Sequence, residues 1–118
     1  MHEYIRFRDQ FAAALDPQFY TIQHVDHLYL SGRATLFTSE NAAILAELKV
    51  YPTGAMDVHG LLAAGDLSEI VNELIPQAEA WGREEGCIGA LIDSREGWGK
   101  VMKKHGYALH QQAIRKAF

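Results

Sequence analysis

The first quarter of the chain carries apolar residues near helical spacing. They predict a helix over residues 3–15 that ends before Pro17, because the residue preceding a proline disfavours helical backbone angles. Thr21 is placed to cap a second short helix, and Gly32 is placed to end it. The apolar positions of these two predicted helices are Ile5, Phe11, Ala12, Leu15, Ile22, Val25, Leu28 and Tyr29.

After Gly32 the pattern changes to that of strands. Three segments are rich in β-branched, aromatic or small apolar residues, and two turn sequences, Ser39-Glu40-Asn41 and Pro52-Thr53-Gly54, separate them. The segments cover residues 33–39, 42–51 and 55–63. Their order and short turns predict a three-stranded antiparallel meander.

One register of the second hairpin brings four charged or titratable side chains together. If Tyr51 faces Ala55 across the turn, the opposed pairs on one sheet face are Lys49 with Asp57 and Glu47 with His59. Both pairs have compatible charges, as expected of cross-strand pairs that stabilise a half-buried sheet.

The most regular helical pattern begins at Asp66. Asp66 and Glu69 have the spacing of a capping box, with Asp in place of Ser or Thr, and apolar residues follow at helical period. These residues are Leu67, Ile70, Val71, Leu74, Ala78 and Trp81. The pattern predicts a helix over residues 67–85. Pro76 interrupts it, because an interior proline removes a hydrogen bond at a cost of roughly 3 kcal/mol, so we expect either a kink or two helical segments in series.

Three further elements follow. Gly86 ends the long helix, residues 87–92 form a buried strand, residues 96–105 form a helix that ends at Gly106, and residues 107–118 form a final strand. Strands joined through a helix favour parallel pairing, so the strands near residues 60 and 90 pair in parallel. The expected fold is a single α/β (α+β) domain with a mixed, mostly antiparallel central sheet flanked by helices.

Composition fits this picture. The chain has 118 residues, of which 48% are apolar and 22% charged, as in ordinary globular domains. Its net charge of -4 argues against general binding of nucleic acids or anionic membranes, since both require a basic surface. The single cysteine, Cys87, excludes an internal disulfide and a multi-cysteine zinc site. Because no signal peptide or membrane-spanning apolar run is present in the sequence, we expect a cytoplasmic protein.

Two stretches resemble the GNAT (GCN5-related N-acetyltransferase) superfamily. They are Ala78-Glu79-Ala80-Trp81-Gly82-Arg83-Glu84-Glu85-Gly86-Cys87 and Gly97-Trp98-Gly99-Lys100-Val101-Met102-Lys103-Lys104-His105-Gly106-Tyr107, in the order helix, glycine, strand, helix, glycine-aromatic. More specifically, Ser94-Arg95-Glu96-Gly97-Trp98 and Ala64-Gly65-Asp66-Leu67 are similar to small GNAT-like proteins encoded in phages and prophages. The resemblance covers about residues 33–118 and implies an acyl-CoA N-acyltransferase fold without its usual first strand.

The resemblance also implies acetyl-CoA as cofactor and an amine, on a small molecule or a protein, as acceptor. In the family, the pyrophosphate binds backbone N–H groups within an Arg/Gln-x-x-Gly-x-Gly/Ala loop where the long helix begins. Counting back from Gly86 places this loop at residues 66–71, which contain no glycine, and a shift that uses Gly65 brings in the backbone of Ala64, Gly65, Asp66, Leu67 and Ser68. This stretch has no arginine, and Asp66 and Glu69 put negative charge where the pyrophosphate would lie.

Catalytic groups are likewise implied by the resemblance. The family's general acid is a tyrosine five residues before the aromatic residue of the glycine-aromatic pair, and that position is Met102 here. A base would come from the central strands, where the candidates are Glu47, Asp57 and His59. No metal is expected, because His24 and His27 form a helical pair without a third ligand.

Two functions stay open on these grounds. The first is an acetyl-CoA-dependent N-acetyltransferase that acts on an amine and has a degenerate cofactor loop. The second is a non-catalytic phage or prophage accessory protein that keeps the fold as a scaffold for protein contacts, including contacts between copies in a homo-oligomer. Fold alone does not separate them.

Overall fold

A computed structural model describes residues 2–93 and 97–118. Two helices, α1 (His2–Ala14) and α2 (Ile22–Leu30), precede the strands β1 (Thr35–Thr38), β2 (Ala42–Val50) and β3 (Met56–Gly65). Thr21 caps α2 as predicted, since its side chain accepts a hydrogen bond from the His24 N–H. Within the described part, no strand precedes α1.

The strands form one sheet in the order β1-β2-β3-β4, in which β4 is Gly89–Ile92. The pairs β1/β2 and β2/β3 are antiparallel, and β3/β4 is parallel. The predicted fold class is therefore confirmed, and the parallel pair is the one joined through a helix. Strand β4 begins two residues later than the predicted strand, although the Ile88 N–H already donates to the carbonyl of Met56 on β3, and the strand is half-buried rather than buried.

The helical connection between β3 and β4 changes its winding before Pro76. It consists of α3 (Leu67–Glu69), a π-helical turn (Ile70–Leu74) and α4 (Ile75–Glu84). In the wide turn, the Ile75 N–H donates to the carbonyl of Ile70. Pro76 lacks an N–H, so a change of winding at this point is the physical response to a missing donor. The predicted interruption is confirmed, and its form is a π-turn.

Each sheet face packs against its own set of helices. One face packs on the segment 67–84 and α5 (Trp98–Met102), through Ala42, Ile44, Ala46, Val58, Ile70, Val71, Leu74, Ile75, Ala78 and Met102. The other face packs on α1 and α2, through Tyr4, Phe7, Phe11, Val25, Ala34, Ala43, Leu45 and Ala64. Residues 42–46 of β2 are buried throughout, whereas β2 is half-buried or exposed from Glu47 onward. The fully buried part of β2 therefore ends before Glu47.

The inward stripe of α1 differs from the expected one. Tyr4, Phe7 and Phe11 are buried, whereas Ile5 is 58% exposed. Positions i, i+3 and i+7 share one face of a helix, and Ile5 lies about 100° around the axis from Tyr4. Ile5, one of the apolar positions of the predicted helix, therefore lies outside the buried stripe.

The predicted final strand over residues 107–118 is wrong. After α5, a 3-10 turn (Lys103–His105) ends at Gly106 as predicted, but no regular structure follows. Tyr107 is half-buried and everything after it is exposed. The central run His110-Gln111-Gln112 supplies no apolar residue that a sheet could bury, which removes the driving force for pairing. The predicted helix start at Glu96 and the stretch Ser94-Arg95-Glu96 lie outside the described residues.

Candidate functional site

A β-bulge sets which side chains of β3 face the α1/α2 side of the sheet. Leu45 pairs with Leu62, whereas Ala46 pairs with Gly60, so Leu61 is the extra residue. Below the bulge the alternation shifts by one position, which brings His59 to the same face as Leu62. The predicted pairs are confirmed: Glu47 lies opposite His59, and Lys49 lies opposite Asp57.

His59 stands between two carboxylates. Its Nδ1 lies 2.8 Å from Glu47 Oε2, and its Nε2 lies 2.6 Å from Asp93 Oδ1. Glu47 comes from β2, and Asp93 follows β4 immediately. The imidazole is largely shielded at 12% exposure, while the side chains of Glu47 and Asp93 are 30% and 62% exposed. We call Glu47, His59 and Asp93 the His59 array.

The array favours a protonated imidazole. A carboxylate can only accept hydrogen bonds, so both short contacts are satisfied when both ring nitrogens carry a proton. Burial lowers the pKa of His59, but the hydrogen bonds to Asp93 and Glu47 outweigh it, and the pKa lies above its ordinary value of 6.5. The array therefore holds its proton to a higher pH than a free imidazole does.

Asp57 belongs to a separate cluster on the same face. Its Oδ2 accepts a 2.8 Å hydrogen bond from the Tyr51 hydroxyl, and Lys49 Nζ lies 5.6 Å from the centre of the Tyr51 ring. The hydrogen bond to Asp57 is the main cause that raises the pKa of Tyr51. Gly89 makes room for this arrangement, because a Cβ there would lie 2.9 Å from Asp57 Oδ1. Of the three predicted candidates, the structure joins Glu47 and His59 directly and gives Asp57 a different partner.

The start of the helical segment is closed by hydrogen bonds within the protein. Asp66 accepts from the Glu69 N–H through its side chain and from the Ile70 N–H through its carbonyl, and its own N–H donates to the carbonyl of Asn41. Gly65 lies so close to Asn41 that a Cβ would clash with the Asn41 backbone, and its φ of 97° also favours glycine.

Glu69 ties the β1–β2 turn to the same point. Its carboxylate accepts hydrogen bonds from the Ser39 hydroxyl at 2.7 Å, the Asn41 N–H at 2.9 Å and the Asn41 side-chain amide at 3.1 Å. The bond from Ser39 and that from the Asn41 backbone lower the pKa of Glu69. We call Asn41, Asp66 and Glu69, with Ser39, the helix-start clasp.

The predicted cofactor residues lie around this clasp. Ala64 is buried in the α1/α2 core, whereas Gly65, Asp66, Leu67 and Ser68 are exposed. Ser68 Oγ accepts a hydrogen bond from the Asn72 side chain. Asp66 occupies the amides of Glu69 and Ile70, so Leu67 and Ser68 carry the amides that a phosphate would have to use, beside two carboxylates. This donor set does not fit a diphosphate.

Comparison with solved structures gives a consistent answer about the fold. Ribosomal-protein-alanine N-acetyltransferase from Brucella melitensis biovar Abortus 2308 matches with a TM-score of 0.68 at 14% identity, over 99% of this chain and 92% of that one. Aminoglycoside 6'-N-acetyltransferase from Acinetobacter haemolyticus gives 0.67 at 14% identity, over 96% and 92%. A predicted acetyltransferase with acetyl-CoA from Clostridium acetobutylicum gives 0.62 at 9% identity, over 81% and 71%. The chain has the GNAT acetyltransferase fold.

No family model matches the sequence, and no curated protein matches it either. Across the two described stretches, no helix has the length and apolar content needed to span a bilayer. In the same stretches, no group of three or more His, Cys, Asp or Glu side chains is arranged to hold a metal ion.

Asp93 is the member of the site that sequence reasoning missed. The available signal was its place directly after a strand that pairs in parallel with β3, since the carboxyl ends of parallel strands are where ligand sites gather in open sheets. Met102, at the position of the GNAT general acid, is buried in the core at 2% exposure. Tyr107 does not replace it, because its hydroxyl donates a 2.6 Å hydrogen bond to Glu79 on α4. Cys87 is half-buried, and burial raises the pKa of its thiol, which disfavours a nucleophilic thiolate.

Proposed function

We propose that this GNAT-fold protein is an N-acyltransferase that moves an acyl group from a thioester to a primary amine. The single observation that carries the proposal is the His59 array. A shielded imidazole is held between two carboxylates, at the point where the pairing of β3 with β4 ends at Gly60 and Ile92. General acid–base catalysis needs a titrating group that is held in a fixed position, and the two carboxylates hold the imidazole in this way.

Proton removal is the step that the array would perform. A primary amine is an ammonium ion at neutral pH and must lose a proton before its nitrogen can attack. Neutral His59 would accept that proton at Nε2, because the partner of Nε2, Asp93, is the more exposed of the two carboxylates and the easier to displace. Glu47 would keep its bond to Nδ1 and so fix the ring on β2. The carboxylate of Asp93 would attract the ammonium to the same place.

The ammonium group loses two protons during the transfer, and each goes to a different acceptor. The neutral amine nitrogen forms a C–N bond with the acyl carbonyl carbon, and the C–S bond of the thioester breaks. The second amine proton goes to the departing thiolate, so the products are an amide, a thiol and the proton held by His59. In the described part no tyrosine takes the place of Met102, so this second proton would pass through solvent.

A panel assay tests the proposal. Purified protein would be mixed with acetyl-CoA or a shorter acetyl thioester and with a panel of primary amines, namely an aminoglycoside, an alanine-terminated peptide, a diamine and glucosamine 6-phosphate, and thiol release would be followed. Acetyl-CoA is included because the Clostridium acetobutylicum protein of this fold was solved with it. We expect amine-dependent release that His59→Gln abolishes. No release above the His59→Gln background with any donor would exclude the proposal.

The helix-start clasp favours a second candidate, a non-catalytic protein that uses the fold for protein contacts. The amides and charges of the clasp are committed inside the protein, and apolar residues stand exposed after α5, at Leu109, Ile114 and Phe118. Light scattering across a concentration series separates the two candidates. A protein that stays monomeric and turns over a thioester with an amine removes the basis for this second function.

A further inference from the structure

We propose that the acyl donor of this protein is a pantetheine-type thioester that carries no nucleotide diphosphate. This inference rests on the proposed transferase function and concerns only how the donor is recognised. The observation behind it is the helix-start clasp, which occupies the place where a helix N-terminus would otherwise hold phosphate groups.

Hydrogen bonding at the clasp leaves few donors for an anion. The amides of Asp66, Glu69 and Ile70 are taken by Asn41 and Asp66, and the Asn41 amide is taken by Glu69. A phosphate bound at a helix N-terminus relies on several such amides pointing at it together. Binding a diphosphate here would require breaking bonds that hold the β1–β2 turn against the helix.

Charge acts in the same direction. Glu69 is ionised at neutral pH, because the bonds from Ser39 and Asn41 lower its pKa, and Asp66 adds a second carboxylate three residues earlier. The three side-chain and backbone donors that hold Glu69 are all neutral, so its negative charge is not cancelled by a basic partner among them. Like charges this close repel, and added salt screens the repulsion over a Debye length of about 10 Å at 0.1 M.

The pantetheine end of a donor meets no such obstacle. It is uncharged, so neither Asp66 nor Glu69 repels it, and it needs none of the amides that the clasp occupies. A thioester of pantetheine therefore keeps the reacting group and the arm while it avoids the two carboxylates. Asp66 and Glu69 are, in this scheme, specificity-determining residues that exclude the diphosphate.

The first experiment uses the native protein and three donors. Acetyl-pantetheine, acetyl-4'-phosphopantetheine and acetyl-CoA would be compared by calorimetric binding and by kcat/KM with the same amine. We expect affinity to fall as phosphate groups are added, and affinity for acetyl-CoA to rise with salt. An advantage of acetyl-CoA over acetyl-pantetheine of about tenfold or more, equal to 1.4 kcal/mol, would overturn the inference.

A second experiment changes the charge while keeping the cap. Asp66→Asn retains an oxygen that can accept the Glu69 N–H, and Asn is as good a cap as Asp. Affinity for acetyl-CoA should rise in this variant, and affinity for acetyl-pantetheine should stay unchanged. The matched control is Glu73→Gln, which removes one negative charge from an exposed position on the same helical segment and should change neither affinity. An equal rise in the control would contradict the inference.

Outcomes for this inference and for the transferase function are separable. Preferential binding of acetyl-pantetheine without turnover of any amine would support the inference and contradict the proposed function. Efficient turnover of acetyl-CoA, with an advantage of about tenfold or more over acetyl-pantetheine, would support the proposed function and contradict the inference. Binding of none of the three donors would contradict both.

Discussion

The His59 array and the helix-start clasp both contain carboxylates, but the groups that bind those carboxylates differ in whether they can change charge. In the His59 array, Glu47 and Asp93 bond to a ring that can gain and lose a proton and whose pKa lies above its ordinary value of 6.5. In the helix-start clasp, Glu69 bonds to a hydroxyl and to amides whose charge never changes. The array can therefore exchange a proton with a substrate, whereas the clasp can only hold the chain in place. Residue type alone does not distinguish a reactive carboxylate from a structural one, but the partner does.

The largest expected effect falls on the array. Replacing His59 with Gln removes the titrating group while keeping a side chain of similar size that can donate hydrogen bonds. We expect kcat to fall by about 10²- to 10⁴-fold, the usual contribution of a general base. The assay is amine-dependent thiol release under saturating donor.

Glu69→Gln is the paired variant for that experiment, because it changes the clasp in the same conservative way. Its kcat with acetyl-pantetheine should stay within about threefold of native, since the clasp holds no transferred proton. If both variants lose activity to the same extent, the functional difference between the two regions does not exist.

A second prediction concerns the pH dependence of the reaction. Asp93→Asn replaces a charged acceptor of the Nε2–H bond with a neutral one, so the pKa of His59 should fall. The acidic limb of the kcat/KM profile should then move to lower pH, together with a loss of plateau rate from poorer positioning of the ring. A profile that drops uniformly without moving would assign Asp93 a purely structural role. NMR titration of the His59 ring proton gives the same answer without a substrate.

Features of the site that depend on neighbouring residues could be predicted from the sequence, whereas contacts between distant parts of the chain could not. The pairing of Glu47 with His59 followed from turn chemistry and the two-residue period of strands, which are local. Asp93 joins them across 34 positions of sequence, and nothing local specifies that contact. Part of the helix-start clasp was predictable, because Asp66 has the sequence pattern of a cap. The bonds from Ser39 and Asn41 to Glu69 depend on tertiary packing and were not predictable.

Other differences have equally physical causes. The bulge at Leu61 cannot be predicted from the alternation of apolar and polar residues, yet it determines that His59 lies on the same sheet face as Leu62. Leu109, Ile114 and Phe118 lie in the segment predicted as the final strand, but they are exposed, because β-propensity has little effect without a surface on which to pack.

A third prediction sets the two regions against each other in stability. The folded pKa of His59 is raised above 6.5, so its contribution is fully present below pH 6.5 and is lost as pH rises through the folded pKa. The folded pKa of Glu69 is lowered below 4.5, so its contribution is present above pH 4.5 and is lost as pH falls through the folded pKa.

These opposite pH dependences can be measured from the melting temperatures of native protein, His59→Gln and Glu69→Gln across pH. The deficit of a variant is its melting temperature subtracted from that of native protein. The deficit of His59→Gln should be greatest below pH 6.5 and shrink as pH rises through the raised pKa, while that of Glu69→Gln should be greatest near neutrality and shrink in acid. Both changes are expected to amount to only a few degrees, because each group is partly open to solvent. Parallel pH dependence of the two deficits would mean that the assigned partners do not control the charge states.

The smallest effect is expected at Asp57, and it sharpens the boundary of the array. Asp57 shares the sheet face with His59, but its bond goes to the Tyr51 hydroxyl, a partner that stays neutral until strongly alkaline pH. Asp57→Asn keeps an acceptor for that hydroxyl and should change kcat by less than about threefold, with no shift of the acidic limb. A shift like that of Asp93→Asn would instead show that charge on this face acts on His59 through space. The array would then have to include every carboxylate on the open half of the sheet, rather than the two that touch the ring.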